Sequence, residues 1–159
     1  MAITADSLPE NPNKTQATVG KDYFLKVNTG GTYESPTWTL VGGQRNSKLG
    51  KKADSIDVSD KTTGGWSAKM PGLKSWTIDL SGLVMLNDDG VDALNAAFDA
   101  SKMVDVRLEY PDKTFQRGWA AITEFDLDNP HNGAATLTGK LEGNGPLSAR
   151  AKDTTSPLP

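Results

Sequence analysis

The residues of this chain that could do chemistry stand at spacings that complete no catalytic or metal site. Gly43-Gln-Arg-Asn-Ser-Lys-Leu-Gly50-Lys51 has the composition of a phosphate-binding loop. That loop requires four residues between its glycines and a Ser or Thr after the lysine. Here six intervene and Lys52 follows, with no parallel βα unit around them. Asp126-Leu-Asp128-Asn-Pro130-His131 opens like a calcium loop, but His131 occupies the place of the obligatory glycine and Leu137 that of the closing glutamate. Asp54, Asp57 and Asp60 recur every third residue. On an extended chain they point different ways, so solvated loop acids are expected rather than a metal site. His131, the single histidine, lies in an Asn-Pro-His-Asn-Gly turn. A triad would need it beside an acid and a nucleophile. The reading is therefore of a chain without catalytic residues, cofactor or metal.

Composition bounds the rest. With 159 residues the chain is long enough for one domain with a real core. It contains no cysteine, which excludes disulfides, thiolate metal sites and cysteine nucleophiles. Seventeen basic against twenty acidic residues give a net charge of −3, which is not the balance of a domain that grips nucleic acid. The N-terminus, Met-Ala-Ile-Thr-Ala-Asp, has neither a basic n-region nor an apolar h-region. No apolar run approaches the roughly 18 residues of a membrane span. A soluble protein, intracellular when made, is expected.

The elements that must position any functional surface are strands. Residues 1–20 are polar, carry Pro9 and Pro12, and read as an N-terminal arm. Alternation predicts strands over Tyr23 to Asn28, Thr37 to Val41, Ser75 to Ser81, Val104 to Tyr110, Phe115 to Phe125 and Ala135 to Glu142. Pro111-Asp112-Lys113 and Asn129 to Gly133 read as turns, the first closing a hairpin. Gly118, inside a strand, marks a bulge or a close backbone approach. One helix is expected at about 89–102. Asp88-Asp89-Gly90 would cap it, and Val91, Leu94 and Phe98 would form a stripe packed on the sandwich. From 148 to 159 a polar, proline-containing stretch reads as a flexible tail. The sum is a mainly β, antiparallel sandwich or barrel over residues 21–147, with one flanking helix.

The segment that fits least is 42–65, read as a long polar loop. Arg45, Lys48, Lys51 and Lys52 come before any acid appears in it. So long an insertion in a compact domain implies work. Two readings of the cations stand: a solvated loop, or a patch that meets acids on a neighbouring subunit. Of the tryptophans, Trp38 and Trp76 sit in apolar alternation and read as core. Trp66, between Gly65 and Ser67, reads as a packing or subunit contact.

Several phrases carry a resemblance. Trp38-Thr-Leu-Val-Gly-Gly-Gln-Arg, Asp57-Val-Ser-Asp60-Lys61, Gly64-Gly65-Trp66, Leu73 to Gly82 and Thr138 to Leu147 resemble the major tail tube proteins of long-tailed bacteriophages, over about residues 20–147. The resemblance implies a β-sandwich with one helix, shared with the tube protein of type VI secretion. It implies six copies in a ring, rings stacked into a hollow tube, and inner strands joined to line the lumen. The long loop would reach between rings, which makes Arg45, Lys48, Lys51, Lys52, Asp57, Asp60 and Trp66 inter-ring contact candidates. Implied partners are further copies of the chain, the tail initiator or baseplate, the tail terminator and the tape measure protein. The implied place is the virion tail, assembled in the host cytoplasm. DNA would pass through without specific binding. Closing open strand edges into a ring removes an aggregation hazard, and an acidic lining does not hold phosphate. Asp79 and Glu109, on the polar faces of their strands, are the lumen-lining candidates. The alternative from another class is a monomeric immunoglobulin-like binding or virion decoration module.

Overall fold

The structure, a computed structural model, describes residues 3–10, 12 and 17–152. Among them are eight strands: β1 (Phe24–Asn28), β2 (Trp38–Leu40), β3 (Gln44–Asp57), β4 (Lys69–Leu83), β5 (Val104–Glu109), β6 (Thr114–Asp128), β7 (Thr136–Gly143) and β8 (Ala151–Lys152). One helix, α1 (Asp89–Asp99), lies between β4 and β5. Period-two alternation sends Leu25 and Val27, Trp76, Ile78 and Leu80, Val104 and Val106, and Leu137 and Leu141 into a single core.

All pairings are antiparallel, in the order β2-β1-β5-β6-β7-β4-β3, with β8 also on β6. The sheet does not close. It folds over on β6, whose first half pairs β5 and β8 and whose second half pairs β7. A register shift between Ile122 and Glu124 marks the passage. Layer one is β2, β1, β5, the start of β6, and β8. Layer two is the end of β6, then β7, β4 and β3. This is the expected mainly β sandwich with one helix.

Between the layers lies Trp76, 4% exposed. Its indole meets the backbone of Gly118 and Gly143, where an added Cβ would stand 2.6 and 2.2 Å from ring atoms. The expected close approach at Gly118 is thus to a side chain of the opposite layer. Trp76 Nε1 donates to the Gly145 carbonyl at 3.1 Å. The stretch after β7 is held too: Ser148 N donates to the Arg117 carbonyl at 2.9 Å, and Ala151–Lys152 adds a strand to β6. The expected tail from 148 is therefore paired as far as 152; residues 153–159 lie outside the described ones.

The Asp88 side chain caps α1, accepting from Val91 N at 3.0 Å, and also accepts from Gly42 N at 3.0 Å. The helix ends earlier than the expected 102. Ser101 turns to φ 55°, and Lys102 N reaches back to the Ala97 carbonyl at 2.8 Å. Its buried stripe is Val91, Leu94 and Ala97. Phe98, expected in the stripe, lies at its margin, 42% exposed and stacked on Phe125 at 6.5 Å.

Candidate assembly surfaces

The segment expected to be a long loop at 42–65 is a strand for most of its length. β3 pairs β4 from Gln44↔Gly82 out to Asp57↔Lys69, so the pair runs well past the sandwich. Ladder hydrogen bonds, not burial, make it a strand: from Lys51 to Thr62 every residue is exposed. β4 likewise begins at Lys69, before the expected Ser75, and Pro71 lies within it. The result is a two-stranded arm.

The arm's tip is tightly built. Asp57 accepts from Ser59 N at 2.9 Å and pairs with Lys69 at 3.6 Å. The Ser59 hydroxyl group and this N–H hold the Asp57 carboxyl below its ordinary pKa, with Lys69 adding to the effect. Asp60 caps a 3-10 turn, Lys61–Thr63, accepting from Thr62 N at 2.8 Å and its hydroxyl at 2.6 Å; both bonds lower its pKa. Gly64 and Gly65, at φ 64° and 84°, then reverse the chain. Apolar side chains along the arm stand in solvent to a large degree. Trp66 and Leu73 are each 82% exposed, and Ile56, Val58 and Met70 are also exposed. A two-stranded hairpin alone is marginal in water, and exposed apolar clusters of this kind mark contact sites.

The four cations of β3 do not share one surface. Lys48 and Lys52 stand opposite Asp79 and Ser75, on the outer face of layer two. Lys51 stands opposite the core residue Trp76, on the other face, at a groove that Lys52, Lys74 and Leu147 also line. Arg45 falls at the register shift between Gln44 and Asn46. On that outer face a transverse row crosses all four strands: Lys48, Asp79, Lys140, Glu124. Signs alternate along it, the favourable cross-strand arrangement. Beside Glu124 on the same face of β6 come Asp126 and Asp128, opposite Thr138 and Thr136. Sequence reading places Asp126 and Asp128 only in a calcium-like stretch that fails, and Glu124 in no site. The signal was present in their alternation with Phe125 and Leu127.

The second lumen candidate lies elsewhere. Glu109 is on the outer face of layer one, bonded to Arg107 and, at 2.9 Å, to Lys26. Asp79 and Glu109 therefore point away from the core in opposite directions and cannot both face one channel. The polar face of β5, which carries the lumen candidate Glu109, is covered in its middle: Asp105 is 3% and Arg107 6% exposed. Arg117 clamps Asp105 through Nε, at 3.0 and 3.1 Å, and through Nη2. Its guanidinium lies 3.7 Å over Tyr33 and 4.9 Å over Trp38. Arg107 lies 4.6 Å over Trp38 and 4.8 Å over Phe115. Trp38, expected in the core, instead roofs these arginines. Trp119, on the same face, stacks on Tyr33 at 6.2 Å.

Among the described residues, no group of three or more His, Cys, Asp or Glu side chains could hold a metal. No described helix is long and apolar enough to cross a membrane.

A family profile described as phage tail tube protein matches residues 17–149. The chain belongs to the phage tail tube protein family. Solved structures agree. The tail of an empty gene transfer agent particle, refined helically with C6 symmetry, is 25% identical, with a TM-score of 0.76 over 85% of this chain and 100% of that one. The virion of the native gene transfer agent matches at 24% identity and a TM-score of 0.73, covering 83% and 98%. The SPP1 tail tube, solved by solid-state NMR and cryo-EM, matches at 15% identity and a TM-score of 0.70, covering 86% and 81%. These last two likenesses establish the fold. No curated protein matches the sequence. Tail tube proteins of this family are structural components of phage and phage-like virions, not enzymes. The resemblance read from the sequence is confirmed.

Proposed function

We propose that this protein polymerises as stacked six-copy rings into a tail tube, assembled in the host cytoplasm, that conducts the genome into the host. One observation carries the reading. Layer two ends in open edges and in an arm that leaves Trp66 and Leu73 each 82% exposed. A sandwich left in this state is completed by further copies, and a cyclic ring supplies the two different, complementary surfaces that such closure needs. Family membership and the C6 tail of the gene transfer agent support the ring order.

In this reading the distal arm crosses to the next ring, with Trp66, Asp57 and Asp60 at the contact. The outer face of layer two, including Asp79, lines the lumen. Its strands carry Asp79, Glu124, Asp126, Asp128 and Glu142 against Lys48, Lys52 and Lys140. That acidic excess does not trap phosphate. The tube's ends meet the tail initiator or baseplate and the tail terminator, and the tape measure protein occupies the lumen before DNA does. Negative-stain microscopy of the purified protein, alone and with its initiator, tests the proposal. Rings or tubes are expected. A strict monomer at high concentration, unchanged by initiator, would refute it.

A further inference from the structure

The two open edges of layer two carry opposite charge. β3 pairs only with β4, and from Ile122 onward β6 pairs only with β7. On the outer face, the β3 edge presents Lys48 and Lys52 and the β6 edge presents Glu124, Asp126 and Asp128. All five are exposed, and among the described residues none makes an ion pair.

From this we infer that the seam between neighbouring copies in a ring is formed by the β3 edge of one copy against the β6 edge of the next, its register and partner choice set by Lys48 and Lys52 meeting Glu124, Asp126 and Asp128. The inference rests on the ring reading above and names its lateral contact. Strand direction permits it. β3, β4, β7 and β6 alternate in direction, so the β6 of one copy meets the next β3 antiparallel, continuing the sheet. The charge row permits it too. Lys48, Asp79, Lys140 and Glu124 already alternate in sign. With the antiparallel seam sheared by four residues from that row, the next copy's Lys52 extends it past Glu124, and Lys48 stands opposite Asp128. A shear of an even number of residues keeps every side chain on its face. Without the shear Lys52 would fall opposite Ala120, on the part of β6 already paired with β5, and only Lys48 would meet an acid. A slip of one turns them to opposite faces. Two like edges would oppose lysine to lysine or acid to acid, which excludes head-to-head pairing. Two of the cations assigned by sequence to stacking between rings thus act within the ring.

The test is a charge swap between edges. One variant carries Lys48→Glu and Lys52→Glu; the other carries Glu124→Lys and Asp128→Lys. Each alone is expected to lose ring and tube formation by about tenfold or more, since like charges face each other at every seam. An equimolar mixture is expected to regain rings, because each variant's altered edge then meets its complement in strict alternation. Such a ring needs an even number of copies, as in the C6 tail. Circular dichroism melts check that each variant is folded. Should a reversal disturb folding, the neutral pair Lys48→Gln and Lys52→Gln replaces it, with weakened assembly that no longer responds to salt expected. Three results would overturn the seam: wild-type assembly by either folded variant alone, rings of the lysine variant that fail only to stack, or no recovery on mixing folded variants. A wild-type protein that stays monomeric would instead remove the ring reading itself.

Discussion

The outer faces of the two layers are finished differently. On layer one, Asp105, Arg107 and Arg117 are charged yet buried, each neutralised within the chain and roofed by Tyr33, Trp38 and Phe115. On layer two and its arm, charges and large apolar groups alike stand in solvent. A surface closed by its own side chains has no need of a neighbour. A surface left with unpaired lysines, unpaired acids and bare tryptophan does. In the ring reading proposed above, the asymmetry separates the side of the subunit finished in the monomer from the side finished by assembly.

The contrast breaks first at the Arg117–Asp105 pair. Arg117→Ala leaves a buried carboxylate without its partner, and a loss on the order of 3–5 kcal/mol is expected from denaturant unfolding of the monomer. A loss near zero would mean that layer one is also open to water. Gly143→Ala drives a Cβ into the Trp76 indole, and about 1–3 kcal/mol is expected, with altered tryptophan fluorescence. Phe98→Ala, at the half-exposed margin of the helix, should cost about 1 kcal/mol by thermal melt, the scale of one aromatic pair. In the arm the expectation reverses. A Trp66→Ala, Leu73→Ser variant should keep the monomer within about 0.5 kcal/mol of wild type while tubes, counted by negative stain, give way to single rings. Smallest is a pH effect. Asp57 and Asp60 have pKa values held below the ordinary 3.8 in the folded tip. The order they contribute is therefore present above that value and fades as pH falls through the lowered ones. Amide resonances of Ser59 and Thr62 should shift in that acid range in wild type and not in Asp57→Asn, Asp60→Asn.

Sequence patterning made the inward faces of both layers legible because burial on one face writes a period of two. Leu25, Val27, Ile78, Leu80, Val106 and Leu141 all follow it, and Asp88 announces the helix by its capping chemistry. β3 is not legible in the sequence for the converse reason. Over Lys51 to Asp57 neither face is buried in the monomer, so no alternation records the strand, and its partner β4 even admits a proline. The polar face of β5 misled in another way. Asp105 and Arg107 alternate like solvent-facing residues, but the aromatics that cover them come from Tyr33, Trp38 and Phe115, two of them some seventy positions away along the chain. Pairing at such distance leaves no local trace. The acid edge on β6 was visible as alternation, but it acquires meaning only beside a basic edge on another strand.

The sharing of β6 between layers has a consequence for how the subunit comes apart. Its first half is hydrogen-bonded to β5 and β8, its second to β7. Neither layer can open without withdrawing a strand that the other requires, so the sandwich unfolds as one cooperative unit. The arm hangs from one edge of that unit and shares none of its burial. Its amides in the isolated subunit therefore exchange with solvent through openings far less costly than global unfolding.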